Sequence, residues 1–241
     1  MNLVVDIGNT RIKLAVFDEG KITEDLVSDR ADKFDMTSFL KQRNIRRSII
    51  SSVVNHLPSF VNVLRERTNF LEFTSETSVP VKNLYRTANT LGNDRLPTVI
   101  AASYDHPGKN ILVIDSGTCI KYNFINSAGE YLGGAISPGM DMRFKALNSF
   151  TDRLQLLSPD MEYDKLVGET SVESIQSGVM IGVLTEVEGM ITKYEKQYSD
   201  LILVLTGGNS SFFEKRLKKS IFADPFLVLK GLNLILEHNA K

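Results

Sequence analysis

The chain has 241 residues, enough for one large domain or two modest ones with a real core, and at 42% hydrophobic it has the apolar residues to fill that core. A net charge of -1, with lysine and arginine scattered along the chain, leaves no basic footprint for nucleic acid. A membrane role is excluded on the same level: no apolar run approaches the roughly 20 residues of a spanning helix, and Asp6 comes too early for a signal peptide.

Taken in order, Leu3 to Ile7 reads as a buried strand, and Arg11 to Phe17 alternates as a second. Asp18-Glu19-Gly20-Lys21 turns the chain into a third strand, Ile22 to Val27. Met36 to Arg43 and Pro58 to Thr68 have helical spacing around an apolar strand, Arg46 to Val53, and an apolar helix runs over Leu96 to Ala102. The plan then repeats. Ile111 to Asp115, Ile120 to Ile125 and Glu130 to Ile136 read as strands, Ser171 to Tyr198 is the longest helical pattern, and Leu201 to Leu205 is a buried strand. Three antiparallel strands followed by helix, strand and helix is the plan of a ribonuclease-H-like lobe. The expected division is 1–107 and 108–241. The one cysteine, Cys119, has no second cysteine or histidine near it, so we expect a small core residue in a reducing cytoplasm.

The repeat carries chemistry. Leu3-Val4-Val5-Asp6-Ile7-Gly8-Asn9-Thr10 returns as Ile111-Leu112-Val113-Ile114-Asp115-Ser116-Gly117-Thr118, each an apolar run ending in an acid, then a glycine and a threonine. In each copy the glycine lets backbone approach a ligand, amides and hydroxyl can hold phosphate oxygens, and the acid can hold a hydrated magnesium ion. Two such clamps are what an enzyme gripping ATP between related lobes requires. Lys13, on the strand that leaves the first clamp, adds positive charge. Three further islands stand out: Gly92-Asn93-Asp94-Arg95 at a helix start, Gly133-Gly134-Ala135-Ile136-Ser137-Pro138-Gly139, and Thr206-Gly207-Gly208-Asn209 between a strand and a helix. In isolation an Asp-Arg pair there reads as a helix cap with a surface ion pair, and the glycine islands as turns.

Together with Ser51-Ser52-Val53-Val54 and Gly168-x-x-Thr170-x-x-Ser174-Ile175-x-x-Gly178, these motifs resemble, in order and spacing, those of type III pantothenate kinases along nearly the whole chain. The resemblance implies duplicated ribonuclease-H-like lobes of the actin-like ATPase superfamily, which includes actin, sugar kinases and heat-shock ATPases. It also implies a homodimer that phosphorylates pantothenate with ATP and Mg2+, the first step of coenzyme A biosynthesis. By position, Asp94 matches the catalytic base. Tyr85, Gly92, Asn93, Asp94 and Arg95 match pantothenate-binding positions, and Thr170 matches one supplied by the partner subunit. Asp6, Ile7, Gly8, Asn9, Thr10, Arg11, Ile12 and Lys13, with Thr118, match ATP-binding positions. Asp6 would lie next to magnesium, and Asp115 would hold a monovalent cation, K+ or NH4+. Val179, Ile181, Val183 and Leu184 offer the apolar surface for the dimer.

The chain departs from the family pattern after the second clamp, where Lys121 and Asn123 replace a threonine and an aspartate. Alternation along the strand turns Lys121 outward and leaves the ion site intact; if its ammonium instead reaches Asp115, it takes the ion's place. Other actin-fold phosphotransferases or phosphohydrolases, such as sugar kinases or exopolyphosphatase-like proteins, share both clamps but lack Gly-x-Asp-Arg before the second. A non-catalytic nucleotide-binding regulator is the alternative of a different class, and the presence of Asp94 argues against it.

Overall fold

The computed structural model describes residues 1–8, 11–28, 34–54 and 59–240. They form two compact units, one of Met1–Pro107, Gly129–Leu132 and Phe226–Lys241, the other of Gly108–Ala128 and Gly133–Pro225.

In the first unit, β1 (Asn2–Ile7) pairs antiparallel with β2 (Ile12–Asp18), which pairs with β3 (Lys21–Ser28). On its other side β1 pairs in parallel with β4 (Arg47–Ser52), and β4 with β5 (Asn69–Glu72), giving the order β3-β2-β1-β4-β5. Leu3, Val4 and Val5 are fully buried, as a central strand covered on both faces demands. The edge strand β3 is mostly exposed and carries Lys21, Glu24 and Asp25, charges that discourage edge-to-edge pairing. Helices α1 (Met36–Lys41) and α2 (Phe60–Arg67) bring Met36, Leu40, Phe60 and Leu64 onto Leu3, Val5 and Leu14. Asp35 caps α1 by accepting from the Ser38 amide at 3.0 Å. The unit also contains α3 (Arg95–Asp105) and a two-residue strand, β6 (Lys82–Asn83), which pairs with Glu130 and Tyr131.

The second unit repeats the topology. Its central strand β7 (Asn110–Ser116) pairs antiparallel with β8 (Cys119–Ile125) and in parallel with β10 (Leu201–Thr206). With β9 (Glu130–Pro138) beside β8 and β11 (Phe222–Ala223) beside β10, the order is β11-β10-β7-β8-β9-β6, and its strands read from β9 to β11 match the first sheet strand for strand. Its helices are α4 (Met140–Ser149), α5 (Ser171–Gln176), α6 (Gly182–Gln197) and α7 (Ser210–Arg216). Phe144, Met180, Val183, Val187, Ile191 and Phe213 join Leu112, Ile114, Ile120, Tyr122 and Phe124 in one core. The long helical pattern from Ser171 is interrupted by a π-helical turn, Ser177–Ile181, with glycine at 178 and again immediately after it at 182.

The last helix, α8 (Leu227–His238), returns to the first unit, although the sequence division places it in the second half. The cause is packing: α8 lies on α3, β1 and β4 and buries Leu227, Leu229, Leu232, Ile235 and Leu236, each contributing about 1.5–3 kcal/mol. Asn2 Nδ2 ties the helix down, donating to Asn233 Oδ1 at 2.9 Å and Glu237 Oε1 at 2.6 Å. Gly231 sits where a Cβ would collide with the Pro97 carbonyl of α3. Alanine for glycine inside a helix ordinarily stabilises by about 1 kcal/mol. Here Gly231→Ala should destabilise by about 1–3 kcal/mol, read as a fall in the urea midpoint at unchanged slope.

Most boundaries move by one to three residues: α1 stops at Lys41, α3 extends from Arg95 to Asp105, and β9 runs through Pro138. Pro58, the expected start of the second helix, lies outside the described residues.

Candidate active site

In the second unit three of the sequence islands meet. Asp115, 8% exposed near the end of β7, stands opposite Lys121 of β8 and Thr206 of β10. The turn that follows is held by Gly139 N–H donating to the Thr118 carbonyl at 3.0 Å and by Asn209 N–H donating to the Ser116 carbonyl at 3.0 Å. A Cβ at Gly139 would run into the Gly117 and Thr118 carbonyls, and one at Gly207, whose φ is +93°, into Ser116 and Asp115 Oδ1. Glycine at both positions is therefore a condition for the turn to exist. Thr118 is exposed at its tip.

The first clamp has the same register. Asp6 is half-buried opposite Lys13 of β2 and Ser51 of β4, as Asp115 is opposite Lys121 and Thr206. Gly8 N–H donates to the Arg11 carbonyl at 2.9 Å, and Gly117 N–H to the Cys119 carbonyl at 3.0 Å. These two glycine amides close their own turns, and Lys13 and Thr118 add donor groups at the two clamps. Asn9 and Thr10 lie outside the described residues. Arg11 is exposed, while Ile7 and Ile12 are core residues, so any contact they make with ATP runs through backbone. Cys119 is half-buried in β8.

The Gly92–Arg95 island is pinned to the first clamp. Asn93 Nδ2 donates to the Ser52 and Phe73 carbonyls at 3.2 and 3.3 Å, and Ser51 Oγ, next to Asp6 across the sheet, donates to the Asn93 carbonyl at 3.4 Å. Asp94 precedes α3, yet its side chain makes no capping bond to that helix. Arg95 is no surface cation either: it is 4% exposed, its guanidinium 5.6 Å from the Tyr85 ring centre. Tyr85 N–H is held by Asn83 Oδ1 at 3.0 Å, and its ring lies 6.3 Å from that of Tyr131. The cap reading fails, and a carboxylate, a buried cation and an aromatic ring share one corner of the first unit.

Thr170, in the second unit, caps α5: its hydroxyl accepts from the Glu173 amide at 3.2 Å, and Glu173 Oε2 accepts from the Glu169 amide at 3.0 Å. It borders a cavity of about 840 Å³ with Arg143, Leu147, Leu154, Ser174 and Val179. Sequence reasoning missed Arg143 of this lining and its ion-pair partner Glu186. Burial works against ionisation of Glu186, but hydrogen bonds from Arg143 and Ser137 and the Arg143 charge hold its carboxyl below the usual range. The apolar surface expected from Val179 and Val183 is in the core instead. Exposed apolar side chains are found at Phe150, Leu156, Leu166, Val167 and Val172.

The chemistry of the donors decides which groups the clamps suit. Among the described residues no three His, Cys, Asp or Glu side chains cluster as a metal cage. Magnesium keeps most of its water and takes phosphate oxygens with one or two carboxylates, so the lone Asp6 fits a nucleotide-borne ion. The glycine-lined turn fits phosphate. A monovalent cation at Asp115 does not fit, because Lys121 Nζ already donates to Asp115 Oδ2 at 2.7 Å.

The fold is that of the actin-like ATPase and sugar kinase structures. The activator of 2-hydroxyisocaproyl-CoA dehydratase from Clostridium difficile, solved with ADPNP bound, matches with a TM-score of 0.54 and 13% identity over 99% of this chain and 95% of its own. The type III pantothenate kinase family model matches residues 2–193. Type III pantothenate kinases of Phocaeicola vulgatus and Christiangramia forsetii are 46% and 43% identical to it, covering 100% and 99% of both chains. The chain belongs to the type III pantothenate kinase family.

Proposed function

We propose that the protein transfers the γ-phosphoryl group of ATP to the 4'-hydroxyl of pantothenate, opening coenzyme A synthesis in the cytoplasm. The observation that carries this reading is the corner formed by Asp94, Arg95 and Tyr85: an acid released from capping duty beside a buried cation, fastened through Asn93 and Ser51 to the strand that carries Asp6's neighbour. Asp94 takes the proton of the attacking hydroxyl. Arg95 and Tyr85 hold the acceptor so that its oxygen faces that carboxylate. Gly92 and Asn93 shape the loop: a Cβ at Gly92 would lie 3.0 Å from Asp94 Oδ1.

In the first unit Lys13, across the sheet from Asp6, is suited to a phosphate oxygen, and Asp6 would hold a hydrated magnesium ion that would neutralise developing charge on the phosphates; in the second unit the Thr118 hydroxyl is likewise suited to a phosphate oxygen. Phosphoryl transfer asks little covalent chemistry of a protein, so positioning and charge are the main contributions of these residues. Loss of a proton by the hydroxyl is the one step that needs a base.

The active unit is a homodimer in which Thr170 of one protomer reaches the acceptor bound by the other. Phe150, Leu166 and Val167, 87%, 74% and 74% exposed, supply apolar surface for a two-fold contact. The experiment that tests the reaction is product analysis: with ATP, Mg2+ and pantothenate the protein should form 4'-phosphopantothenate, identified by mass, in one-to-one ratio with ADP. ADP release without that product would overturn the acceptor and leave an ATPase.

A further inference from the structure

Asp115 and Lys121 are direct cross-strand partners on β7 and β8, so their side chains leave the sheet on the same face. Alternation does turn Lys121 away from the core, since its neighbours Ile120 and Tyr122 both point into it. That outward face, however, is the one from which Asp115 projects, and Lys121 Nζ lies 2.7 Å from Asp115 Oδ2. The two side chains are 18% and 11% exposed, a setting in which water screens the pair weakly. On the other side of the carboxylate, a Cβ on Gly207 would abut Oδ1. The carboxylate is thus bounded by an ammonium and by backbone.

The duplication gives this pair a meaning. Lys121 holds the register in the second hairpin that Lys13 holds in the first: Asp6 faces Lys13 one step before Ile7 faces Ile12, and Asp115 faces Lys121 one step before Ser116 faces Ile120. Both hairpins therefore bring a lysine up beside the strand-end acid, and both precede a turn suited to phosphate. We propose that Lys121 is the resident cation of the second clamp: its ammonium neutralises Asp115 and supplies, covalently and permanently, the positive charge toward nucleotide phosphates that a monovalent ion would otherwise bring. A second cation at Asp115 is excluded by like-charge repulsion, so nucleotide binding and turnover do not depend on potassium or ammonium ions. The inference rests on the nucleotide reading of the clamp but not on the identity of the acceptor.

The test is ADPNP titration of the full chain by calorimetry, with initial rates in parallel, in sodium- and ammonium-free buffer with potassium exchanged against choline at constant ionic strength. Wild-type affinity and rate should change by less than about twofold across the potassium series. Lys121→Thr should bind ADPNP about tenfold more weakly without potassium and recover most of that loss with it, while Lys121→Met, which keeps the stem and fills the space, should weaken binding without recovery. Strong potassium activation of the wild type overturns the proposal, as does a Lys121→Thr protein that binds ADPNP as tightly as wild type with no potassium present. Failure of the wild type to bind ADPNP under any condition overturns the nucleotide reading itself, a result distinct from both.

Discussion

Asp94→Asn lowers turnover about 10²-fold or more while the protein stays folded and keeps most of its affinity for ADPNP and pantothenate. The substitution preserves shape and removes the basicity together with the negative charge. It is also unusually clean for a residue at a helix start, because the Asp94 side chain does not cap α3 and no capping energy is lost with it. A base that acts in the transition state alone should show its loss in kcat and in kcat/KM alike, with KM for pantothenate little changed. Initial rates over both substrates, beside a thermal melt of each protein, make the comparison. A folded variant with near-normal turnover would remove Asp94 from the role of base.

Mixing two inactive proteins, Asp94→Asn and Thr170→Tyr, restores activity once subunits exchange. Each hybrid dimer then carries one site with an intact Asp94 from one chain and an intact Thr170 from the other. Random exchange should return about a quarter of the wild-type sites, a rise from background that needs no fine measurement. Thr170 is exposed, so tyrosine is tolerated sterically; losing its bond to the Glu173 amide costs about 1 kcal/mol of helix capping, too little to unfold the protein. No complementation, with exchange verified by tagged subunits, would place each site within a single chain.

The architecture was legible where sequence signal is local. Apolar runs of three and four residues marked β1 and β7 because a central strand buries both faces, and the recurrence of acid, glycine and threonine exposed the duplication. Strands β5 and β6 left no such mark. Asn69–Glu72 has mixed burial and follows α2 with no turn residue, and Lys82–Asn83 is only two residues long. The destination of α8 was illegible for another reason: an apolar helix shows that it must be buried but not against what, and the contact that decides, Gly231 on Pro97, joins residues far apart in sequence.

At the site, the motif resemblance singled out Asp94, Arg95, Asp6 and Asp115, but alternation alone did not show that Lys121 reaches Asp115. The rule correctly turned it from the core; only strand pairing reveals that Asp115 leaves by the same face. That the Gly8 and Gly117 amides close their own turns was likewise not visible in the motif. Convergence of Gly139 and Gly207 on the second clamp is tertiary and could not be read from three separated islands.

The acceptor is tested most directly by a coupled ADP-release assay run on the unmodified protein with pantothenate, pantetheine and a panel of sugars as acceptors under one set of conditions. The expected result is the highest kcat/KM with pantothenate, no sugar above the rate without acceptor, and loss of the pantothenate signal in Asp94→Asn. Release of ADP at equal rates with and without pantothenate, or faster with a sugar, would contradict pantothenate as the acceptor.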